Sequence, residues 1–540
     1  MKKKIVAGLL VLGVVFSISG CGGQSKEYKQ AVEAIQQTEL KLDGSNEMSK
    51  DILLALENAK YTEAKNIIFM IGDGMGYNII EATQTVYADK LYEGTLAINQ
   101  LPIQSAQTTY SINSYITDSA AGGTALATGY KTKNAVLALD MITQKKYQTT
   151  LELAASMGKS TGVVVTDEIS EATPASFTAH TNGRGKKEDI AKQQLQLMID
   201  GDLDLAFGGG RTYFEADVNS GVLEKAKKVG VTYSTNWEEA SKAELPMIGS
   251  FAESRLDTTD QQTPSLATMT DFALRKLSEN EEGFFLMVEG AQIDDYAEFN
   301  ELDAEMREMY EFDCAIAVAM RYVALNPDTV LIITADHDTG DLEFPVDATA
   351  EEIKSQATYG TDWHIYKSVP LIAVGYRTEE LKELQENTDV GAFVASLLGE
   401  KEFGAKSKRH TLWKAKDKKG KSVELDESQS EYIFSLETHQ ETTEKVVDLR
   451  IVSVMVKNPT TETVELPNLE FEYRKKSYTI KPDRSYLKAG ETMTIGYVIP
   501  DDAWEKNILQ HITELVFTTN GKHTTLELLE VGLTERSGTK

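Results

Sequence analysis

The chain has 540 residues, 41% of them hydrophobic and 26% charged, which is too long for one compact core and excludes a wholly disordered chain. Its formal charge of −29, from 84 acidic against 55 basic residues, excludes nucleic acid and anionic membrane surfaces as obvious electrostatic partners. With two cysteines, Cys21 and Cys314, the fold must be held by its core and its ligands and not by a disulfide framework.

Taken in chain order, Lys2, Lys3 and Lys4 precede an apolar run at 5–16 and the mostly small residues SISG at 17–20 before Cys21. That order reads as an export signal, too short to remain as a spanning helix. Its end is similar to the lipobox of bacterial lipoproteins, which implies acylation of Cys21, a lipid anchor on the outer face of the cell membrane, and a flexible tether at 22–25. Apolar residues at helical spacing (Ala31, Ala34, Ile35, then Ile52, Leu53, Leu56) predict two short helices before residue 61. Apolar runs at 66–71, 162–166, 203–207, 284–288, 330–334 and 369–374 then alternate with helical stretches, which predicts an α/β fold with a mostly parallel sheet between helices. The expected organisation is a signal at 1–20, a tether with helices at 21–63, a catalytic domain at 64–400, a Lys-rich linker at 401–445 and a C-terminal β-sandwich at 446–540.

Several segments carry chemistry. NIIFMIGDGMG at 66–76 delivers Asp73 from a strand end into a glycine-flanked loop, which suits a metal carboxylate and equally a tight turn. ITDSAAGGTALATG at 116–129 places Ser119 after a capping aspartate and ahead of small residues, as a helix cap or as a nucleophile facing a bound anion.

DSAAGGT at 118–124 resembles the nucleophile signature of alkaline phosphatases, and the other blocks follow in that family's order: EATPASFTAH at 171–180 with Arg184, MVEGAQID at 287–294, TADH at 334–337, and His364 ahead of VPL at 369–371. The resemblance covers about residues 64–400. It implies a three-layer α/β/α core and hydrolysis of phosphomonoesters through a phosphoserine at Ser119, with Arg184 on the phosphate. It further implies one zinc on Asp73, Asp336 and His337, a second on Asp294, His364 and Glu298, and magnesium on Asp73, Glu171, Thr173 and Glu289. Glu298 stands where the family has histidine, Glu171 where it has aspartate or histidine, and Asp295 where it has histidine, lysine or tryptophan. His180 receives no ligand role. Two alternatives stay open: a phosphodiesterase or phosphonate hydrolase on the same core, and a non-catalytic surface-binding lipoprotein. A homodimer and docking of the C-terminal domain to a surface component are further expectations.

Overall fold

The computed structural model describes residues 23–404 with short interruptions and, beyond them, strand segments between 408 and 535. The export signal and Cys21 lie outside the described residues.

The two predicted N-terminal helices are present as α1 (Lys26–Gln37) and α2 (Lys50–Asn58), each capped by a serine, Ser25 and Ser49, whose hydroxyl accepts from a first-turn amide. The core sheet is built on β1 (Asn66–Gly72), followed by helix α3 (Tyr77–Val86), and on β2 (Ile103–Thr108), β3 (Ser160–Glu168), β4 (Leu205–Gly209), β5 (Thr232–Ser234), β6 (Met247–Ser250), β7 (Phe284–Gly290) and β8 (Thr329–Thr334). Among the described residues it has ten strands, in the order Gln385–Glu386, β2, Val369–Val374, β8, β1, β7, β3, β4, β6, β5. Pairing is parallel except along Val369–Val374, which runs antiparallel to both β8 and β2.

Each central strand is a continuous apolar run because both faces of the sheet are covered. Successive side chains point to opposite faces. Ile68 and Met70 of β1 join Val164, Leu286 and Ile333 in one core, under the helices Leu266–Leu277 and Leu302–Leu325. Ile67, Phe69 and Ile71 join Val163, Phe285 and Ile332 in the other.

The long helix Leu302–Leu325 also carries a buried polar joint. Asp313 accepts from the amides of Ala97 (2.8 Å) and Ile98 (2.9 Å) and from the Asn46 amide (2.7 Å), tying the N-terminal segment to the core. Burial pushes the Asp313 carboxyl up to about 7, with these bonds pulling it back. The folded chain therefore holds a proton that the unfolded chain loses above 3.8, so this residue's contribution is full at low pH and is lost as the pH rises through 7. Asp313→Ala, which orphans three donors, is expected to cost about 3 kcal/mol at pH 5. Melting curves of both proteins should show the difference narrowing toward pH 8; a difference that widens with pH would contradict this reading.

Beyond residue 404 the structure departs from the expected linker. Lys408–Lys414 pairs with Glu527–Glu535, and Glu431–Ser435 pairs with Glu514–Thr518, so two stretches inside 401–445 are strands of two four-stranded sheets. Lysines and glycine at 418–421 obscure the β-forming residues nearby, such as Tyr432, Ile433 and Phe434.

Candidate active site

In a parallel sheet the functional groups gather where strands end. Here β1 ends at Asp73, β7 carries Glu289 next to its last residue, and β8 leads directly to Asp336 and His337. Gly74 takes a left-handed φ of 70°, and a Cβ there would meet Asp294 at 2.8 Å, so the loop after Asp73 closes only with glycine.

Ser119 opens α4 (Ser119–Thr128), whose residues are all buried. Asp118 caps it, with Oδ1 accepting from the Ala121 amide (3.0 Å) and Oδ2 from the Ala135 amide (2.8 Å). The small residues that follow let the helix approach closely, since a Cβ on Gly122 would meet the Asp336 carbonyl at 2.8 Å. The result is a fixed hydroxyl at a helix N-terminus, where backbone amides favour an anion.

Around that hydroxyl the expected residues form two groups. Ser119 Oγ lies 3.2 Å from His337 Nε2, which is 3.4 Å from Asp73 Oδ1 and 3.4 Å from Asp336 Oδ2. His364 Nε2 lies 3.6 Å from Asp294 Oδ2 and 3.5 Å from Glu298 Oε1. Thr173 Oγ1 donates to Asp73 Oδ2 at 3.3 Å, and Glu289 is fully buried with no hydrogen-bond partner on either oxygen among the described residues.

These spacings test whether metal fits. Contacts of 3.4–3.6 Å between histidine nitrogen and carboxylate oxygen are too long for good hydrogen bonds. They match ligands about 2.0–2.1 Å from one tetrahedral ion, which sit about 3.3 Å apart. The ring nitrogen of His364 away from that group, Nδ1, lies 2.9 Å from the Thr117 carbonyl; an N–H donated there turns the other lone pair toward Asp294 and Glu298, where a cation belongs.

Electrostatics agree. Burial, then the charges of Asp336, Asp294 and Glu289, raises the Asp73 carboxyl well above its usual range. Burial followed by Asp336 and Asp167 does the same to Glu289, and burial with Asp294 brings Asp336 to about 7. Asp294 is the exception: burial raises it, but hydrogen bonding and charge from His364 and His337 hold it low. Burial keeps His337 neutral, whereas Asp294 and Glu298 outweigh burial and push His364 up to about 10. So many buried carboxylates stay ionised together only when cations neutralise them.

Two residues singled out in the sequence are held by ion pairs. The Glu171 carboxylate accepts from Arg184 Nη2 (2.8 Å) and from Lys187. Arg184 is thereby braced, its Nη1 also 3.4 Å from Asp118 Oδ2. Asp295, next to Asp294, is ion-paired with Arg255 at 2.7 Å. His180 is held by the Ala138 carbonyl (2.9 Å) and Glu152 (2.9 Å), in keeping with a structural role.

Sequence reasoning missed Asp167, Glu168, Lys187 and Arg255. The first two follow the apolar run at 162–166 and could have been read as carboxylates at a strand end. Nothing local marks Arg255. Its loop is pinned beside the site by bonds from the Leu256 amide to the Thr166 carbonyl (3.0 Å) and from Gln292 Nε2 to the Leu256 carbonyl (2.8 Å).

A family model described as alkaline phosphatase matches residues 64–350. Alkaline phosphatase 4 of Bacillus subtilis (strain 168) is 37% identical over 300 residues, covering 54% of this chain and 64% of the relative. Streptomycin-6-phosphate phosphatase of Streptomyces griseus is 30% identical over 422 residues, covering 64% of this chain and 93% of the relative. The match thus spans just under two thirds of the length of the Bacillus relative. Among solved structures, alkaline phosphatase from the Antarctic bacterium TAB5 superposes with a TM-score of 0.56 at 29% identity, over 63% of this chain and 99% of that one. A variant of the TAB5 protein with glutamate in place of a histidine is described with Mg bound in its M3 site.

Proposed function

The chain belongs to the alkaline phosphatase family, and from that premise we propose that it is a metal-dependent phosphomonoesterase working through a phosphoserine at Ser119. The observation that carries this reading is the Ser119 hydroxyl at the N-terminus of α4, 3.2 Å from His337, with two carboxylate–histidine groups and Arg184 around it.

Asp73, Asp336 and His337 would hold one zinc, Asp294, Glu298 and His364 a second, and Asp73, Glu171, Thr173 and Glu289 a magnesium, with Glu171 also ion-paired to Arg184 and Lys187. When bound, these ions neutralise the carboxylates, share the charge of the phosphoryl oxygens and lower the pKa of the serine hydroxyl and of water. Glu298 gives the second site a harder, more negative donor set than histidine would.

Arg184 offers its planar fork to two non-bridging oxygens, aimed by Asp118 and Glu171. Ser119 Oγ gives up its proton to solvent and attacks phosphorus in line. The bond from phosphorus to the leaving oxygen breaks, and the leaving alcohol takes a proton from water. The phosphoserine then lies against the amides of α4. Water attacks from the vacated side, the P–Oγ bond breaks, the serine is reprotonated and inorganic phosphate departs; two inversions leave retention at phosphorus.

Arg184→Ala is expected to lower kcat/KM by about 10²-fold, and Arg184→Lys to recover only part, because an ammonium lacks the fork. Equal activity of Lys and wild type would remove the fork from the account. Acid quench during turnover, followed by peptide mass spectrometry, should find phosphate esterified to Ser119. Turnover with no such ester, or with the label on another residue, would sink the proposed intermediate.

The setting proposed for this activity is the outer face of the bacterial membrane. The basic start, the apolar run at 5–16 and Cys21 support export and lipid anchoring. Among the described residues no helix is long and apolar enough to cross a membrane. The strands beyond residue 404 would form an accessory β-sandwich that docks to a surface component, and the catalytic core would pair as a homodimer.

A further inference from the structure

The rim of the site also carries apolar surface that phosphate and metal chemistry leave unused. Among the described residues seven large apolar side chains are exposed, and three of them stand beside site residues. Ile116 is three residues before Ser119, Phe299 follows Glu298, and Trp363 precedes His364.

Isolated exposed apolar residues are ordinary. The segments that carry these three are tied to one another by hydrogen bonds. His364 Nδ1 lies 2.9 Å from the Thr117 carbonyl, which sets the segment of Ile116 against that of Trp363. The side-chain amide of Asn300, in the orientation that satisfies it, donates to the Thr361 carbonyl at 3.0 Å and brings Phe299 to the same loop. The Gly340 amide donates to the Trp363 carbonyl at 3.1 Å and fixes the main chain there.

The indole is fixed as well. Its ring lies on that of His364 at 4.8 Å and 10°, and His364 lies on His337 at 3.7 Å and 22°. The three rings form a stack that starts at the neighbour of Ser119 Oγ and ends in an indole that is still 55% exposed. The rest of the rim is ionic, made by Arg184, Lys187 and Arg255 with their carboxylates. One side of the mouth therefore suits charge and the other suits a flat apolar group. An oriented indole holds a planar ring by stacking, and does so for any ring with a π face.

We propose that Trp363, flanked by Phe299 and Ile116, is a leaving-group subsite that selects phosphate monoesters bearing a planar aromatic ring, either an aryl group or a nucleobase. This rests on the phosphomonoesterase reading above. The phosphoryl group occupies the Ser119 end of the ring stack and the aromatic part of the alcohol covers the indole.

The test uses two pairs of esters matched in leaving oxygen: AMP with ribose 5-phosphate, and benzyl phosphate with ethyl phosphate. Metal-loaded full chain should favour the aromatic member in at least one pair. A preference confined to the AMP pair assigns a nucleobase, and one confined to the benzyl pair assigns an aryl group. Trp363→Leu should reduce that ratio of kcat/KM values by about fivefold to tenfold, and Trp363→Phe should retain most of it. Exposure of the side chain makes both variants tolerable to the fold. Ratios near one in the wild type, or a ratio that Trp363→Leu leaves within twofold, would overturn this inference while the phosphatase reading stands. Wild-type chain that turns over none of the four esters would overturn both.

Discussion

Ser119→Ala is expected to lower turnover of a simple phosphate monoester by about 10⁴-fold or more, with the fold and the metal content unchanged. The reasoning is local. The hydroxyl is the only part of the side chain that the substitution removes, and it lies 3.2 Å from His337 Nε2. Alanine suits the first turn of α4, where Asp118 continues to cap the amides. Arg184, the two carboxylate–histidine groups and the helix amides all remain, so phosphate should still bind. The pattern to look for is a collapse of kcat with inorganic phosphate still bound. Variant protein that retained more than a few per cent of the rate would mean that water attacks phosphorus directly, and the covalent route would be lost from the account.

Removal of divalent metal by a chelator should have an effect of similar size on turnover and should also destabilise the fold. Asp73, Glu289, Asp294 and Asp336 converge behind Ser119, and Glu289 has no hydrogen bond on either oxygen among the described residues. Left without cations, this group is held together against its own repulsion. Metal bound at a thousand times its Kd contributes about 4 kcal/mol to folding. In chelator the folded-state pKa values of Asp73, Glu289 and Asp336 stand above their unfolded values. Folded protein then binds more protons than unfolded protein, so the stability of the metal-free form should fall as pH rises through about 7, the value to which Asp336 is pushed. Glu289→Gln separates charge from structure. In chelator it should melt higher than wild type, because a buried uncompensated carboxylate is gone, whereas with magnesium and zinc present it should melt lower, because a ligand is gone. Melting curves that move in the same direction under both conditions would show that Glu289 has no metal role.

Much of this arrangement is legible in the sequence because it is carried by short local signals. The run NIIFMIG is buried on both faces and has to be a central strand, so Asp73 has to lie at its end. Asp118 followed by Ser119 and small residues is a helix start whatever the fold, and His337 and His364 are two of only seven histidines. What stayed hidden depends on partners far along the chain. That Glu171 braces Arg184 depends on Lys187 lying on the following helix. The charge opposite Asp295 comes from Arg255, on a loop that reaches the site only because its backbone is fastened to the ends of β3 and β4. Asp313 reads as one acid in a helix, and only the packed chain reveals that it caps the segment at Ala97 and Ile98. The strands at Lys408–Lys414 and Glu431–Ser435 are obscured because charged residues dominate their surroundings, and their pairing partners lie about 80–130 residues away.

The most direct test of the central claim is release of inorganic phosphate from a simple aryl monoester by the full chain supplied in turn with zinc, magnesium, calcium and manganese, set beside the corresponding diester. The account predicts hydrolysis that requires metal and favours the monoester by about 10²-fold or more, since Arg184 and two cationic sites suit the dianion. Folded protein that hydrolyses the diester in preference, or neither ester with any of the four metals, would contradict it.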